Sequence, residues 1–181
     1  MATITLSNAF TVDDLEAMPD DGRRYELIGG AIVMTPAPEP VHQRVVLGLV
    51  RRIEDACPPG HEAFVSPIDF DLPGGQRVEP DLIVVPDASV GDKRLSGPAL
   101  LVVEIVSPGS VTNDQVTKRQ VYAEAGVPAY WIVDPRRGHI LALRLVEGVY
   151  EPYADSTGPV TLDWPVAVSF AVADLARPRA R

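Results

Sequence analysis

Two acidic residues that interrupt apolar stretches are the first candidates for chemistry in this sequence. Asp81 precedes the run LIVV at 82–85, and Glu104 lies inside the run LLVVEIV at 100–106. Such runs predict strands that are buried on both faces, where a carboxylate is costly unless it meets a cation or hydrogen-bond donors. Two acids on adjacent buried strands can converge on one cation. Asp81 could instead be a turn or bulge acid that caps backbone N–H groups.

A helix predicted over 112–125 would follow the second strand after the turn Ser107-Pro-Gly109. It places Asp114, Lys118 and Tyr122 on one face, because they are spaced i, i+4 and i+8. This face could bring the acid Asp114 and the base Lys118 over the end of the strand that contains Glu104. Asp114 and Lys118 could also be an exposed ion pair worth about 0.2–0.5 kcal/mol, and Tyr122 could be a core residue.

Carboxylate ligands, with water and phosphate completing the shell, suit Mg²⁺ or Mn²⁺. A metal of this kind can clamp a phosphate oxygen and activate water for in-line attack. Lys118, one helix away, could place a compact positive charge near that water or the phosphate. These residues therefore favour metal-assisted hydrolysis of phosphodiesters.

Glu26 and His42 are weaker candidates when the residues are taken alone. Glu26 lies between Tyr25 and Leu27 in a predicted strand, so alternation could point it to solvent or towards Arg23 or Arg24. His42 lies in the first turn of a predicted helix. A single histidine at that position is more often a surface residue or a cap than a catalyst.

Composition limits the class of protein. The chain has 181 residues, a net charge of −9 and one cysteine, Cys57, which excludes an internal disulfide and a cysteine metal cluster. We expect one domain over 10–175 with flexible ends at 1–9 and 176–181. The N-terminal residues show no signal peptide and no membrane span, and we expect a cytoplasmic protein. The acidic charge argues against a general nucleic-acid coating protein.

Periodicity and breakers predict alternating helices and strands. The predicted helices are 12–18, 41–56 and 112–125, and the predicted strands are 24–28, 31–35, 62–66, 68–72, 77–85, 100–106, 129–133 and 139–145. Weaker strands at 148–153 and 160–162 and a strand end with a short helix at 168–175 would follow. The segment from Pro86 to Pro98 is predicted to be a polar loop.

Several segments together resemble the Uma2 family of putative endonucleases, which is similar to the PD-(D/E)XK, or restriction-endonuclease-like, superfamily. The matching segments are YELIGG at 25–30, PEPVHQR at 38–44, EPDLIVV at 79–85, LVVEIVSPGS at 101–110, the spacing of Asp114, Lys118 and Tyr122, and GVPAYWIVDP at 126–135. The resemblance covers about residues 10 to 170, and the order and spacing of the segments carry it.

The resemblance implies roles for individual residues. Asp81 would be the aspartate of the PD motif and Glu104 the acid of (D/E)XK, both as metal ligands, with the Ile105 carbonyl as a further ligand. The chain departs from the superfamily pattern at Val106, where lysine is usual. The resemblance implies that Lys118 on the following helix supplies this lysine. Glu26 and His42 match positions that approach the same cleft.

The resemblance and the element order imply the same fold: an α/β (α+β) restriction-endonuclease-like core, in which a mixed β-sheet is flanked by helices on both faces. The N-terminal hairpin and C-terminal strands would extend that sheet. The implied partners are Mg²⁺ or Mn²⁺, nucleic acid, with DNA as the expected substrate, and a second copy of the chain in a homodimer.

Two other functions remain open at this point. One is an inactive nucleic-acid- or protein-binding module, which the acidic balance favours because a DNA cleft should have a basic rim. The other is a hydrolase of small phosphate esters, which needs no basic groove. The candidate rim residues are Arg44, Arg51, Arg52, Lys93, Arg94 and Arg119.

Overall fold

The computed structural model describes residues 9–35, 37–107 and 113–178, with the side chains of 113–115 excepted. Residues 1–8 and 179–181 of the predicted flexible ends lie outside the described residues, as does most of the predicted turn 107–109. The predicted contribution of Asp114 to the helix face also lies outside them, because its side chain is not described.

In the described part of the chain, helices separate groups of consecutive strands. The helices are α1 (Val12–Glu16), α2 (Pro40–Asp55), α3 (Asn113–Glu124) and α4 (Val172–Ala176). The strands are β1 (Arg24–Ile28), β2 (Ala31–Thr35), β3 (His61–Val65), β4 (Phe70–Leu72), β5 (Gln76–Val78), β6 (Leu82–Pro86), β7 (Leu95–Ser96), β8 (Leu101–Ile105), β9 (Ala129–Asp134), β10 (His139–Val146), β11 (Val149–Ser156), β12 (Val160–Leu162) and β13 (Val168–Phe170). The predicted loop 86–98 contains β7 and a 3₁₀ turn at Asp87–Ser89.

A central sheet of six strands, in the order β11-β10-β9-β8-β6-β3, forms the middle layer. The sheet is mixed, since β8 and β9 are parallel while the other pairs are antiparallel. Its inner strands are apolar on both faces, as expected for strands that are covered on both sides. The α/β class with a mixed sheet between helices, predicted from the sequence, is confirmed.

Alternation along β8 assigns its side chains to two separate cores. Leu101, Val103 and Ile105 pack on the face covered by α2, α4 and the β12–β13 ribbon. Val102 packs on the opposite face, together with residues of α3 and of a second sheet. Glu104 has the same parity as Val102, so strand alternation places it on the α3 side.

The second sheet contains five strands in the order β2-β1-β5-β4-β7. The N-terminal hairpin β1–β2 has the predicted bounds, but it belongs to this second sheet and does not extend the central one. The C-terminal hairpin β10–β11 does extend the central sheet, whereas β12 and β13 pair only with each other. Apolar residues of both sheets share one core, so the hairpin is held against the α3 face.

The segment predicted as one strand over 77–85 is divided between the two sheets. β5 ends at Val78 in the second sheet and β6 begins at Leu82 in the central sheet. Pro80 lacks the N–H that a continuous ladder needs and restricts the residue before it. The break places Asp81 where the chain crosses from one sheet to the other, beside the end of β8.

The turn between β1 and β2 gives a stability prediction. Gly30 has φ +77°, and a Cβ built on it would lie 2.8 Å from the Cβ of Ala9. We expect Gly30→Ala to lower the free energy of unfolding by more than about 1–2 kcal/mol, because positive φ alone costs that much for an L side chain. Gly74→Ala is the matched control, since Gly74 has φ +80° and open space around it. Equal losses for both variants in urea unfolding would show that the contact with Ala9 has no effect.

Candidate active site

Asp81 is held by two donors at the crossing between the sheets. Nε2 of His42 donates to Oδ2 of Asp81 over 3.0 Å, and the backbone N–H of Ile105 donates to the same oxygen over 2.8 Å. Both Asp81 and His42 are buried. Oδ1 accepts no hydrogen bond from the part of the chain that the structure describes. The carboxylate is therefore fixed through one oxygen, and the other is available to a ligand.

Glu104 is held in a similar way by two residues of α3. Its Oε1 accepts hydrogen bonds from Nζ of Lys118 at 3.1 Å and from the hydroxyl of Tyr122 at 2.8 Å. Within the described residues no donor reaches Oε2. Lys118 and Tyr122, predicted to share one helix face, do so and meet the same oxygen. Tyr122 is also fully buried, as the core interpretation of this residue predicts, and its hydroxyl contacts Glu104.

Lys118 lies between two acids. Its Nζ is 3.0 Å from Oε1 of Glu26 as well as 3.1 Å from Glu104. Glu26 is only 1% exposed, and it also accepts the backbone N–H of Glu79 at 2.8 Å and the hydroxyl of Thr35 at 3.0 Å. The alternative that Glu26 points to solvent is therefore wrong. This carboxylate ties the N-terminal hairpin, the bend at Glu79 and α3 together.

One pocket contains all the predicted site residues. Glu26, His42, Asp81, Glu104, Ile105 and Lys118 line it, together with Arg24, Thr35, Pro38, Glu79, Val106, Ser107 and Tyr130. The space open to the centres of water-sized groups is about 50 Å³. Because one water needs about 10–15 Å³ by this measure, the pocket can hold an ion with a few waters.

Several groups lining the pocket were not found from the sequence. Glu79 has its Oε2 buried without a hydrogen-bond partner among the described residues, and burial raises the pKa of its carboxyl group. Arg24 is held by Ser66 through a hydrogen bond between their side chains. The position of Glu79 in the run EPD, two residues before Asp81, is the signal that could have indicated it. Arg24 has no such signal.

Burial controls the titration of Glu104. It raises the pKa of this carboxyl group to about 8, and the charges of Asp81 and Glu26 act in the same direction. Lys118 and the Tyr122 hydroxyl oppose the shift. Because both donors use Oε1, the proton would reside on Oε2, the same oxygen that is open to a cation.

The raised pKa of Glu104 predicts how stability depends on pH. Between about pH 5 and 8 the folded chain keeps a proton on Glu104 that the unfolded chain loses, so the metal-free protein should become less stable as pH rises. Glu104→Gln, which mimics the protonated acid, should remove this part of the slope. Thermal unfolding across that pH range tests it, with the exposed Glu62→Gln as control. A parent slope that Glu104→Gln leaves unchanged would contradict the prediction.

The donor set fits a divalent cation. With all groups ionised, the three carboxylates of Glu26, Asp81 and Glu104 and the single ammonium of Lys118 leave two negative charges (three minus one). Oxygen atoms without donors on Asp81 and Glu104 are the ligands that Mg²⁺ or Mn²⁺ prefers. The described residues contain no group of three or more His, Cys, Asp or Glu side chains arranged around a common metal position. Mg²⁺ does not require such a group, because it keeps several waters.

The described chain therefore has a mixed α/β fold with an acid-and-lysine pocket. A model of the Uma2 family, described as "Putative restriction endonuclease", matches residues 12–174. The chain therefore belongs to the Uma2 family.

A solved structure supports the same fold. It is the crystal structure of a putative nuclease belonging to DUF820 from Anabaena variabilis ATCC 29413, which superposes with a TM-score of 0.70 at 19% identity. The match covers 92% of this chain and 97% of that chain. No curated protein gives a significant match to this sequence. Among the described residues, no helix is long and apolar enough to cross a membrane.

Proposed function

We propose that this protein is a divalent-metal-dependent endonuclease that hydrolyses phosphodiester bonds of nucleic acid, with DNA as its substrate. The observation that supports this most strongly is the position of Lys118, whose ammonium group contacts Glu104 in the pocket that Asp81 also lines. Asp81, Glu104 and Lys118 line one pocket and reproduce the residue types of the PD-(D/E)XK motif, although the lysine comes from α3 and Val106 stands at its usual position. Membership in the Uma2 family supports the same class of reaction.

Asp81 and Glu104 would hold the metal through the oxygens that lack hydrogen-bond donors, with the Ile105 carbonyl as a third ligand. Mg²⁺ or Mn²⁺ bound there would polarise the phosphate and lower the pKa of an attacking water. His42 and the Ile105 N–H fix the carboxylate of Asp81 before any ligand arrives. His42 is therefore a positioning residue in this proposal.

Lys118 would supply positive charge where the phosphate becomes more negative during the reaction. Its ammonium group is positioned by Glu26, which is itself fixed by Thr35 and the backbone of Glu79. If Glu104 turns towards a cation, Glu26 still retains Lys118 in the pocket. Glu26 would therefore position the ammonium group of Lys118 without contacting the substrate.

A hydrolase of small phosphate esters is a second candidate. The small volume of the pocket and its acidic lining favour this function, because a phosphate group alone would enter. An endonuclease is compatible with the same dimensions if only the scissile phosphate approaches the opening. The substrate assay must therefore include both classes of compound.

The test is hydrolysis by the purified full chain. Supercoiled plasmid, single-stranded DNA, duplex DNA, RNA and bis(p-nitrophenyl) phosphate are each incubated with Mg²⁺, Mn²⁺, Ca²⁺ or EDTA. Cleavage of DNA with Mg²⁺ or Mn²⁺ and none with EDTA is the expected result. Turnover of the small ester without cleavage of any polymer would replace the proposal with the second candidate. No turnover of any substrate would refute catalysis.

The predicted homodimer is part of the same proposal, by analogy with superfamily members that cut both strands. Sedimentation of the full chain tests it. A sedimentation mass of a single chain at micromolar concentration, combined with cleavage of both DNA strands, would show that the dimer is not needed.

A further inference from the structure

A groove lined by arginines lies outside the candidate active site, where α4 packs against α2. Its lining consists of Arg44, Leu47, Gly48, Arg51, Arg52, Asp174, Leu175 and Arg177. Its volume is about 430 Å³, much more than the space in the active-site pocket. Gly48 makes the close packing possible, because a Cβ at this position would lie 2.7 Å from a methyl carbon of Leu175.

The arginines of α2 in this groove lack acidic partners. Arg44, Arg51 and Arg52 are exposed, and none forms an ion pair with any residue that the structure describes. Arg52 donates to the backbone oxygen of Gly48 at 2.7 Å. Arg177 pairs with Asp174 at 3.1 Å, and both of these side chains are exposed.

Two other exposed arginines form ion pairs, whereas the exposed Arg144 lies over the ring of Trp164 at 4.3 Å. Arg136 pairs with Glu39 at 3.1 Å and Arg137 with Asp134 at 3.7 Å. The net charge of the chain is −9, so three neighbouring guanidinium groups that pair with no described carboxylate form a locally basic surface on an acidic protein. A surface of this kind can attract a polyanion despite the overall charge, because charges more than about 8 Å away are largely screened at physiological ionic strength.

The spacing of the groove suits a phosphate backbone. Arg44 and Arg51 are two helical turns apart, or about 10 Å along α2, a distance comparable to about three steps of 3.4 Å along the axis of a duplex. Leu47 lies between them and is 51% exposed, so sugar carbons could contact it. We propose that the groove between α2 and α4 binds the phosphate backbone of nucleic acid through Arg44, Arg51 and Arg52, away from the site of cleavage.

The groove proposal rests on the proposed function, which identifies the polymer as nucleic acid, and it adds a second surface that binds this polymer. Arg44 is two residues after His42 on α2, so the groove begins within one turn of the residue that holds Asp81. The helical period directs these two side chains to different sides of α2. A polymer that reached both surfaces would have to be longer than the few nucleotides around the scissile bond. The groove should therefore affect long substrates and not small ones.

The experiment compares binding and turnover by Arg44→Ala/Arg51→Ala with those of the parent. Binding of a fluorescent 30-base-pair duplex is measured by anisotropy in Ca²⁺ over a range of salt, and turnover is measured with bis(p-nitrophenyl) phosphate in Mn²⁺. The matched control is Arg136→Ala/Arg137→Ala, which removes the same charge from another exposed site. Circular dichroism checks that both double variants fold.

We expect the groove variant to bind the duplex about tenfold more weakly than the parent. Its plot of log affinity against log salt should be less steep, with the negative slope smaller in magnitude by about 2, because two phosphate contacts are lost. Its turnover of the small ester should equal that of the parent. Equal weakening in the control variant, an unchanged salt slope, or a parent that does not bind the duplex would overturn the groove proposal. Parent binding without cleavage would refute the nuclease function and leave the groove intact.

Discussion

Lys118→Met is expected to lower the rate of phosphodiester hydrolysis by about 100- to 1000-fold, the usual effect of removing one group that stabilises developing negative charge. Binding of Mg²⁺ or Mn²⁺ should persist, because Asp81 and Glu104 remain. The rate should fall because the ammonium group of Lys118 lies in the pocket, 3.1 Å from Glu104 and 3.0 Å from Glu26, where it would stabilise the phosphate. Initial rates with DNA and calorimetric titration of the metal measure the two properties separately.

Lys93→Met is the matched control for this experiment. The sequence contains only two lysines, and Lys93 is exposed, so its replacement removes the same charge without touching the pocket. A Lys118→Met variant with the activity of Lys93→Met would contradict the assigned role of Lys118.

Loss of Lys118 also leaves Glu26 buried without its cation, and breaking a buried ion pair from one side costs about 3–5 kcal/mol of stability. The double variant Glu26→Gln/Lys118→Met therefore separates catalysis from folding. It should recover stability in thermal unfolding and stay inactive. Recovery of activity in this double variant would show that Lys118 has only a structural role.

Asp81→Asn should abolish activity and weaken the affinity for Mg²⁺ or Mn²⁺ by more than about 100-fold, since even changes outside the ligand shell cost 10- to 100-fold. The substitution keeps the shape of the side chain and an oxygen that can accept the Ile105 N–H. It removes the negative charge that a divalent cation requires. Calorimetric titration with each metal measures the affinity directly.

The control for Asp81→Asn is Asp163→Asn at an exposed position. It changes the net charge of the protein by the same amount, so general electrostatic attraction is held constant. Metal binding by Asp81→Asn that matched the parent would place the cation elsewhere and remove the basis of the proposed mechanism.

The residues that break a local pattern could be recognised from the sequence. Asp81 and Glu104 interrupt apolar strands, and such interruptions are visible without a structure because desolvation makes a buried carboxylate costly. Lys118 and Tyr122 could be placed together because the helical period puts residues four apart on one face. The hairpin β1–β2 was predicted with its final bounds for a similar reason: Gly29-Gly30 is a strong local turn signal.

The partners of Glu26 could not be found in this way. Its neighbours in sequence are Tyr25 and Leu27, whereas the groups that it contacts are Thr35, Glu79 and Lys118. The contact with Lys118 exists because the hairpin belongs to a second sheet that packs on the α3 face. The assignment of a strand to one sheet or another depends on long-range pairing, which a local pattern does not encode.

The sequence by itself therefore determined most of the helices and strands, though not β7 or the division between β5 and β6. It also determined the α/β class and the residue types that could bind a metal and act on phosphate. Local propensity and side-chain periodicity are properties of neighbouring residues, so one chain is enough to read them. Only the tertiary structure decided that Pro80 divides a strand between two sheets, that Lys118 lies between two acids, and that three arginines share a groove without pairing with any described carboxylate. Each of these depends on the packing of elements far apart in the sequence, where burial and distance set the strength of every charge.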